Sequence, residues 1–191
     1  FEQFIGQVID GRYEVAEIIG KGGFGAVYKA QHTATGDMLA IKVLRTDLET
    51  DADLIERFRR EAQTTSRLKH PNTVRVFDFG QLPDGQLYLV MEFLDGRTLS
   101  QLLRDEAPVE YERVVKIALQ VLKSLSEAHS KSLVHRDLKP DNIFVQDIHG
   151  EPDFVRVLDF GIAKSLEPDQ GDITSTGAVL GTPKYMSPEQ A

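Results

Sequence analysis

The stretch Val134-His135-Arg136-Asp137-Leu138-Lys139-Pro140-Asp141-Asn142 holds a His, an Arg, two Asp, a Lys and an Asn. An apolar helical pattern precedes it and a strand-like run, Ile143-Phe144-Val145, follows. A core cannot absorb that many polar groups without partners, so the segment is predicted to be a loop whose side chains are committed elsewhere. Asp137 and Asn142 set two oxygen-bearing groups one short loop apart, with the Lys139 ammonium between them. Such a set can hold an anionic, metal-bound substrate. Asp159 opens Asp159-Phe160-Gly161 at the end of a strand-like run. A structural turn accounts for that pattern; alternatively Asp159 is a hard oxygen ligand for Mg²⁺, which takes one or two carboxylates beside phosphate oxygens. Asn142 is then the candidate second protein ligand.

Two further groups carry possible phosphate chemistry. Gly20-Lys21-Gly22-Gly23-Phe24-Gly25 matches G-x-G-x-x-G. Closely spaced glycines let backbone N–H groups approach phosphate oxygens, and a tight hairpin turn favours glycine as well. A dinucleotide site needs the glycines to open a helix, whereas strand-like runs flank these, so the loop is predicted to be a hairpin able to fold over a nucleotide. Ala40-Ile41-Lys42-Val43 places one cation in an apolar strand. A lysine there ordinarily snorkels at an edge. In the sharper reading Lys42 points into a cleft and holds phosphate, with Glu61 as its acidic partner; a solvated helical glutamate is the plainer account of Glu61.

The elements that must position these groups fall into two sets. Residues 13–19, 26–30 and 38–44 alternate as strands with turn residues between them and no helix-length segment, which predicts an antiparallel meander. Residues 51–68 change to helical spacing through Leu54, Ile55, Phe58, Ala62 and Leu68, and Pro71 stops the run. Residues 73–79 and 86–93 add two strands around Pro83-Asp84-Gly85. After a short linker at 95–97, Thr98 caps a helix over 99–106. Residues 110–131 carry the strongest helical pattern, with Val114, Ile117, Ala118, Val121, Leu122, Leu125 and Ala128 on one stripe. A hairpin of 143–146 and 154–158 follows the polar loop. From Asp159 onward the chain is rich in Gly, Ser, Thr and Pro with little periodicity, as functional or disordered segments are.

Composition narrows the function classes. The chain has 191 residues, 41% of them hydrophobic and 27% charged, enough for a sizeable core in one large domain or two small lobes. A net charge of -8 argues against broad attraction to nucleic acid or an anionic membrane. Without cysteine there is no disulfide, thiolate metal site or cysteine nucleophile. No apolar run approaches the roughly 18 residues of a membrane helix. The first residue is Phe1 and the last are Glu189-Gln190-Ala191, which suggests a piece cut from a longer protein.

Each of these signals has a bland explanation, but their order does not. Glycine hairpin, strand Lys, helix Glu, His-Arg-Asp loop with Asn, Asp-Phe-Gly and Ser-Pro-Glu together resemble a eukaryotic-like (Hanks-type) serine/threonine protein kinase, from about Tyr13 to Ala191. The block Gly181-Thr182-Pro183-Lys184-Tyr185-Met186-Ser187-Pro188-Glu189-Gln190 is most similar to the bacterial branch. The resemblance implies an α+β, bilobal fold. Residues 1–12 would be an N-terminal extension, and 13–94 a small antiparallel-sheet N-lobe with one helix. Residues 95–191 would be an incomplete, mainly helical C-lobe ending just after the activation segment.

It also implies roles. Asp137 would accept or orient the substrate hydroxyl proton, Lys139 neutralise the migrating phosphoryl, and Asn142 and Asp159 hold Mg²⁺, with Mn²⁺ as an alternative. Gly20, Lys21, Gly22, Gly23, Phe24 and Gly25 would cover the ATP phosphates. Lys42 would grip them and pair with Glu61. Val27, Ala40 and Phe144 would sandwich the adenine, with Met91 as gatekeeper and Glu92, Phe93 and Leu94 as the hinge. Thr174, Ser175 and Thr176 are the phosphosite candidates, their phosphate pairing with Arg136. Expected partners are protein substrates with Ser or Thr and a kinase homodimer, but not nucleic acid. The expected location is cytoplasmic, with any membrane anchor outside these residues.

Two departures from the family stand out. Thr65 falls where a stacked hydrophobic column, otherwise Val76, His135 and Phe160, has an aliphatic residue; the substitution implies dependence on a dimer partner or loop phosphorylation. The helices that anchor the activation segment are absent from the sequence, which implies exposed apolar surface on the long helix and poor activity from this piece alone. Three alternatives compete. A pseudokinase-like nucleotide-binding or scaffolding module would lack a catalytic group, and Lys42, Glu61, Asp137, Asn142 and Asp159 are all present. A small-molecule phosphotransferase would lack the long segment from Asp159 to Glu189. A non-enzymatic interaction domain would leave the joint motif set unexplained.

Overall fold

The computed structural model describes residues 2–23, 25–45, 52–148, 150–160 and 183–185. The chain divides into two compact units, Phe1–Lys69 with Val74–Asp95 and His70–Thr73 with Gly96–Ala191. The first is built on a six-stranded antiparallel sheet. It opens with a two-residue strand, β1 (Val8–Ile9), too short for alternation to reveal, and continues through β2 (Tyr13–Gly22), β3 (Gly25–His32) and β4 (Met38–Leu44). Helix α1 (Ala52–Thr65) then leads to β5 (Val76–Gln81) and β6 (Leu87–Glu92). The spatial order is β1-β2-β3-β4-β6-β5, so β1 and β5 are the edges.

Register decides what each face carries, because residues opposed across strands share a face and neighbours in sequence do not. Ala26, Val43 and Tyr88 form one row and Tyr28, Ile41 and Val90 the next on the same face. These residues belong to the main apolar core, which Phe4 and Ile9 close from the N-terminal segment. The Phe4 ring meets Tyr28 edge-on at 5.7 Å. The other face carries Val27, Lys42, Leu89 and Phe79 in one row and Lys29, Ala40, Met91 and Val76 in the next. Helix α1 packs on that face, with the buried Phe58 ring 6.3 Å from Phe79.

A polar node joins the two ends of the sheet. Arg12, between β1 and β2, pairs with Asp10 and, at 2.6 Å, with Asp78 of the opposite edge strand. The Tyr13 hydroxyl donates to Asp78 at 2.9 Å and the Tyr88 hydroxyl to Asp10 at 3.0 Å. The Arg12 hydrogen bond, aided by that from Tyr88, holds the Asp10 carboxyl below its usual range. Burial, with the bond to Asp78, pushes the Tyr13 phenol up to about 12, and burial with the bond to Asp10 does the same for Tyr88.

The helix predicted over 51–68 is shorter, ending at Thr65. Thr64-Thr65-Ser66 are poor interior helix formers. Thr64 and Ser66 turn their hydroxyls onto the Arg60 and Gln63 carbonyls, and the amides of Arg67 and Leu68 make tighter i→i−3 bonds to Thr64 and Thr65.

In the second unit, strand β7 (Arg97–Thr98) lies where a linker was predicted. It is followed by helices α2 (Leu99–Glu106) and α3 (Tyr111–Ser130), then by strands β8 (Ile143–Ile148) and β9 (Glu151–Val157). These strands form a sheet of order β7-β8-β9. Gly96 is required here: at φ +152° a Cβ would lie 2.4 Å from the Val145 carbonyl oxygen. A capping box between Thr98 and Gln101 starts α2. Helix α3 buries Ile117, Val121, Ser124 and Ala128, while Tyr111, Val114, Val115, Leu119 and Leu122 stay exposed. No helix among the described residues is long and apolar enough to cross a membrane.

The segment His70–Thr73 belongs to this second unit although the chain on either side belongs to the first. Its anchors are buried and partly buried hydrogen bonds. The His70 amide donates to Glu127 at 2.8 Å, and Asn72 Nδ2 donates to Gln120 at 2.9 Å and to the Val155 carbonyl at 2.8 Å. The Thr73 and Ser124 hydroxyls bond at 2.7 Å. Thr65 offers the contrast: its hydroxyl is buried with no hydrogen-bond partner among the described residues. A buried hydroxyl stripped of its partner costs about 1–3 kcal/mol. Ser124→Ala is therefore expected to lower stability by that amount, by orphaning Thr73, whereas Thr65→Val raises it by about 1 kcal/mol. Urea denaturation of the two variants checks the opposite signs.

Candidate active site

Hairpin register brings the polar loop to the Asp-Phe-Gly segment. Ile143 pairs with Val157, and the next rung is a bond from the Leu158 amide to the Asn142 carbonyl at 2.9 Å. Asp159 is therefore one step beyond the residue opposite Asn142. Val155 and Val157 are fully buried and fix the hairpin, while α3 ties down its far end through Arg113 and Asp153, paired at 2.8 Å. Pro140 starts a single 3₁₀ turn (Pro140–Asn142) that lifts Asn142 back toward the start of the loop.

The side chains of this loop satisfy one another. Asn142 Nδ2 donates to the Asp137 backbone carbonyl at 2.8 Å and to its carboxylate Oδ2 at 3.0 Å. Lys139 Nζ lies 2.9 Å from the same Oδ2. One carboxylate oxygen thus receives an amide and an ammonium, which fixes its rotamer. With its donor end turned to Asp137, the Asn142 amide presents its oxygen as the group able to face a cation. Arg136 at φ 62° and Asp159 at φ 51° both adopt the left-handed conformation that costs a side-chain-bearing residue energy. The three residues proposed for catalysis are in mutual contact, with the Asp159 backbone next to them.

His135 is the pivot between loop and hairpin. Its Nε2 is 2.7 Å from the Leu158 carbonyl oxygen, and its Nδ1 receives the Asp137 amide at 3.3 Å. A carbonyl can only accept and an amide N–H only donate, so the ring is the neutral Nε2–H tautomer. Burial pushes its pKa below the usual histidine value, the Leu158 bond opposing in part. The buried Phe160 ring lies 4.8 Å away.

In the first unit, Lys42, Val27, Ala40 and Met91 share one sheet face, and α1, which carries the half-buried Glu61, packs on that face. Lys42 is half-buried. Gly22 opposes Gly25 at the end of the β2–β3 hairpin, so the glycines join strands as predicted. Of the motif glycines, Gly25 is fixed by packing, since a Cβ there would meet the Val43 carbonyl oxygen at 2.1 Å. Around Gly22 and Gly23 there is open space, so a Cβ would clash with nothing. Glu92 is partly engaged already: its carboxylate accepts from the Arg75 amide at 2.8 Å. Phe93 packs under the Lys29 ammonium at 5.0 Å, while Leu94 and Phe144 are half-buried. Lys21 is exposed. Phe24, Thr174, Ser175 and Thr176 lie outside the described residues.

The chain belongs to the protein kinase domain family, which it matches over residues 13–191. It is 48% identical, over its whole length, to serine/threonine-protein kinase pkn3 of Myxococcus xanthus, and 41% identical over 98% of its length to serine/threonine-protein kinase PrkC of Bacillus subtilis. It spans 35% and 28% of those two proteins. Among solved structures, the kinase domain of Mycobacterium tuberculosis PknI is similar at a TM-score of 0.72 and 33% identity, covering 82% of this chain and 62% of that one. The bilobal α+β fold read from the motifs is therefore the fold of the family, and the relatives are bacterial. The family as a whole uses ATP and a divalent metal.

Sequence reasoning missed Asn72 of the 70–73 segment and, on α3, Gln120 and Ser124, which together brace that segment and β9. Ser124 and Gln120 interrupt no apolar stripe strongly enough to be noticed, though polar residues on a buried helix face were the available signal. His135 supplies a test. The unfolded chain takes up its proton near pH 6.5. The folded form does so only at lower pH, so stability falls as pH drops through 6.5 toward the depressed folded value and is flat above. The stability difference between the unaltered protein and His135→Gln is expected to be constant above about pH 7 and to shrink as the pH falls below about 6.5 in urea titrations. A difference independent of pH would show that the ring is not held neutral.

Proposed function

We propose that the protein is an ATP-dependent serine/threonine protein kinase, with residues 13–94 as its N-lobe and 95–191 as part of its C-lobe. The observation that carries the reading is the self-satisfied cluster of Asp137, Lys139 and Asn142 beside Asp159. The presence of Lys42 on the sheet face against which α1 and Glu61 pack supports it.

In this reading the hydroxyl oxygen of a substrate Ser or Thr attacks the γ-phosphorus of ATP as the bond to the β–γ bridging oxygen breaks, and ADP leaves. Asp137 orients the hydroxyl and takes its proton. Lys139 neutralises charge on the moving phosphoryl, and Lys42 holds the α- and β-phosphates with Glu61 behind it. Asn142 and Asp159 would supply oxygen donors for Mg²⁺, or Mn²⁺, which would neutralise charge that develops on the phosphates. The oxygen-only donor set fits a hard divalent ion. Little covalent work falls to the protein, so rate comes from positioning and charge. Open space around Gly22 and Gly23 suits close approach of backbone amides to phosphate, and Val27, Ala40 and Met91 offer apolar surface for the base on one sheet face.

Regulation completes the reading: Thr174, Ser175 or Thr176 accepts phosphate, which Arg136 pairs with. The kinase domain works in the cytoplasm on protein substrates and through a homodimer, with any membrane anchor elsewhere in the protein. The test is labelling of the whole protein by γ-labelled ATP beside Asp137→Asn. Losing the base is expected to cut labelling by about 10²–10⁴, with the remaining phosphate of the unaltered protein mapped by mass spectrometry to 174–176. Equal labelling of both proteins would overturn the assignment.

A further inference from the structure

We propose that residues 2–12 and the Arg12–Asp10–Asp78 node are positioning elements for nucleotide binding, setting the curl of the sheet and through it the glycine hairpin. The inference rests on the nucleotide reading above and adds residues that the motifs do not reach. The family match begins at residue 13, so Phe4, Ile9, Asp10 and Arg12 lie ahead of it. They are nonetheless built into the unit. Phe4 and Ile9 are buried in the core, β1 pairs with β2, and the Gly6 and Val15 amides bond to the Val15 and Gln7 carbonyls at 2.9 Å.

The node acts across the sheet rather than along it. Strands β1 and β5 are opposite edges, yet Arg12 and Tyr13 reach Asp78 on β5, and Tyr88 on β6 reaches Asp10. Contacts between the two ends of a six-stranded sheet require it to curl, and they hold one degree of curl. Strand β2 carries that setting to the hairpin: Tyr13 is its first residue and Gly20 to Gly22 its last. Its pairing with β3 shifts register between Val15 and Glu17 and again between Ile18 and Gly20. Each such irregularity bends and twists a strand. The direction in which the hairpin leaves the sheet therefore depends on how the base of β2 is fixed, and Arg12 and Tyr13 are what fix it. A loosened node leaves Lys42, Ala40 and Met91 in place on β4 and β6 while the glycine hairpin moves.

The experiment is steady-state kinetics of the whole protein, with ATP and a Ser/Thr peptide varied in turn, for Arg12→Met, Arg12→Lys and Tyr13→Phe. Arg12→Met is expected to raise KM for ATP at least about five-fold, to leave KM for the peptide unchanged and to leave kcat at saturating ATP within about two-fold. Arg12→Lys, which keeps the charge, recovers most of the affinity. Tyr13→Phe, which keeps the ring and loses one hydrogen bond, shows the same split more weakly and decides the matter if Arg12→Met does not fold. An unchanged KM for ATP in a folded variant, or equal rises in both KM values with no recovery by lysine, would overturn the proposal and leave a purely structural node. Failure of the unaltered protein to bind nucleotide would instead refute the reading on which it rests.

Discussion

An asparagine side chain has a donor end and an acceptor end, and the orientation of one fixes the other. Asn142 commits its donor end to the carbonyl and carboxylate of Asp137. That choice holds the Asp137 rotamer and at the same time aims the amide oxygen away from it. The rest of the second unit is arranged so that this geometry survives. The β8–β9 register places Asn142 opposite Leu158, His135 ties Leu158 back to the Asp137 amide, and Pro140 starts the turn that closes the loop. A half-satisfied polar loop would be worse than none, because each orphaned group in a semi-buried site is costly. Here the costs are met within nine residues of chain and one hairpin.

The first unit solves a different constraint. A sheet that buried both faces equally would have no room for a lysine on one of them. Its main core lies on the Tyr28 and Ile41 side, closed by Phe4 and Ile9, which leaves the Lys42 side for α1. The N-terminal segment thus fills the face opposite Lys42. Lys42 is half-buried on an otherwise apolar strand, in a row with Val27 of β3 and Leu89 of β6, with Ala40 two residues before it on the same face of β4.

What the sequence made legible follows the same division. Period-two runs gave β2 to β6, period-3.6 runs gave the three helices, and the chemistry-bearing residues stood out because they are polar where a core or a strand should be apolar. Two short strands escaped because two residues cannot show a period, and α1 was drawn three residues too far at its C-terminal end because Leu68 is in phase with the stripe. The polar clamp of Asn72, Gln120 and Ser124 and the Arg12 node were illegible for a physical reason. Each joins residues tens of positions apart, and only the folded register says that they meet. Tyr13 and Tyr88 read as ordinary strand aromatics, with nothing local to say that their hydroxyls find carboxylates across the sheet.

The claim on which the account turns is that Asn142 serves Asp137 with one end and a divalent cation with the other. The most direct measurement is the Mg²⁺ concentration giving half-maximal phosphoryl transfer by the whole protein, compared between Asn142 and Asn142→Ala at saturating ATP. The account predicts a slower variant whose Mg²⁺ requirement rises, because a cation ligand and the Asp137 anchor are lost together. A variant with the same Mg²⁺ requirement as the unaltered protein would contradict it.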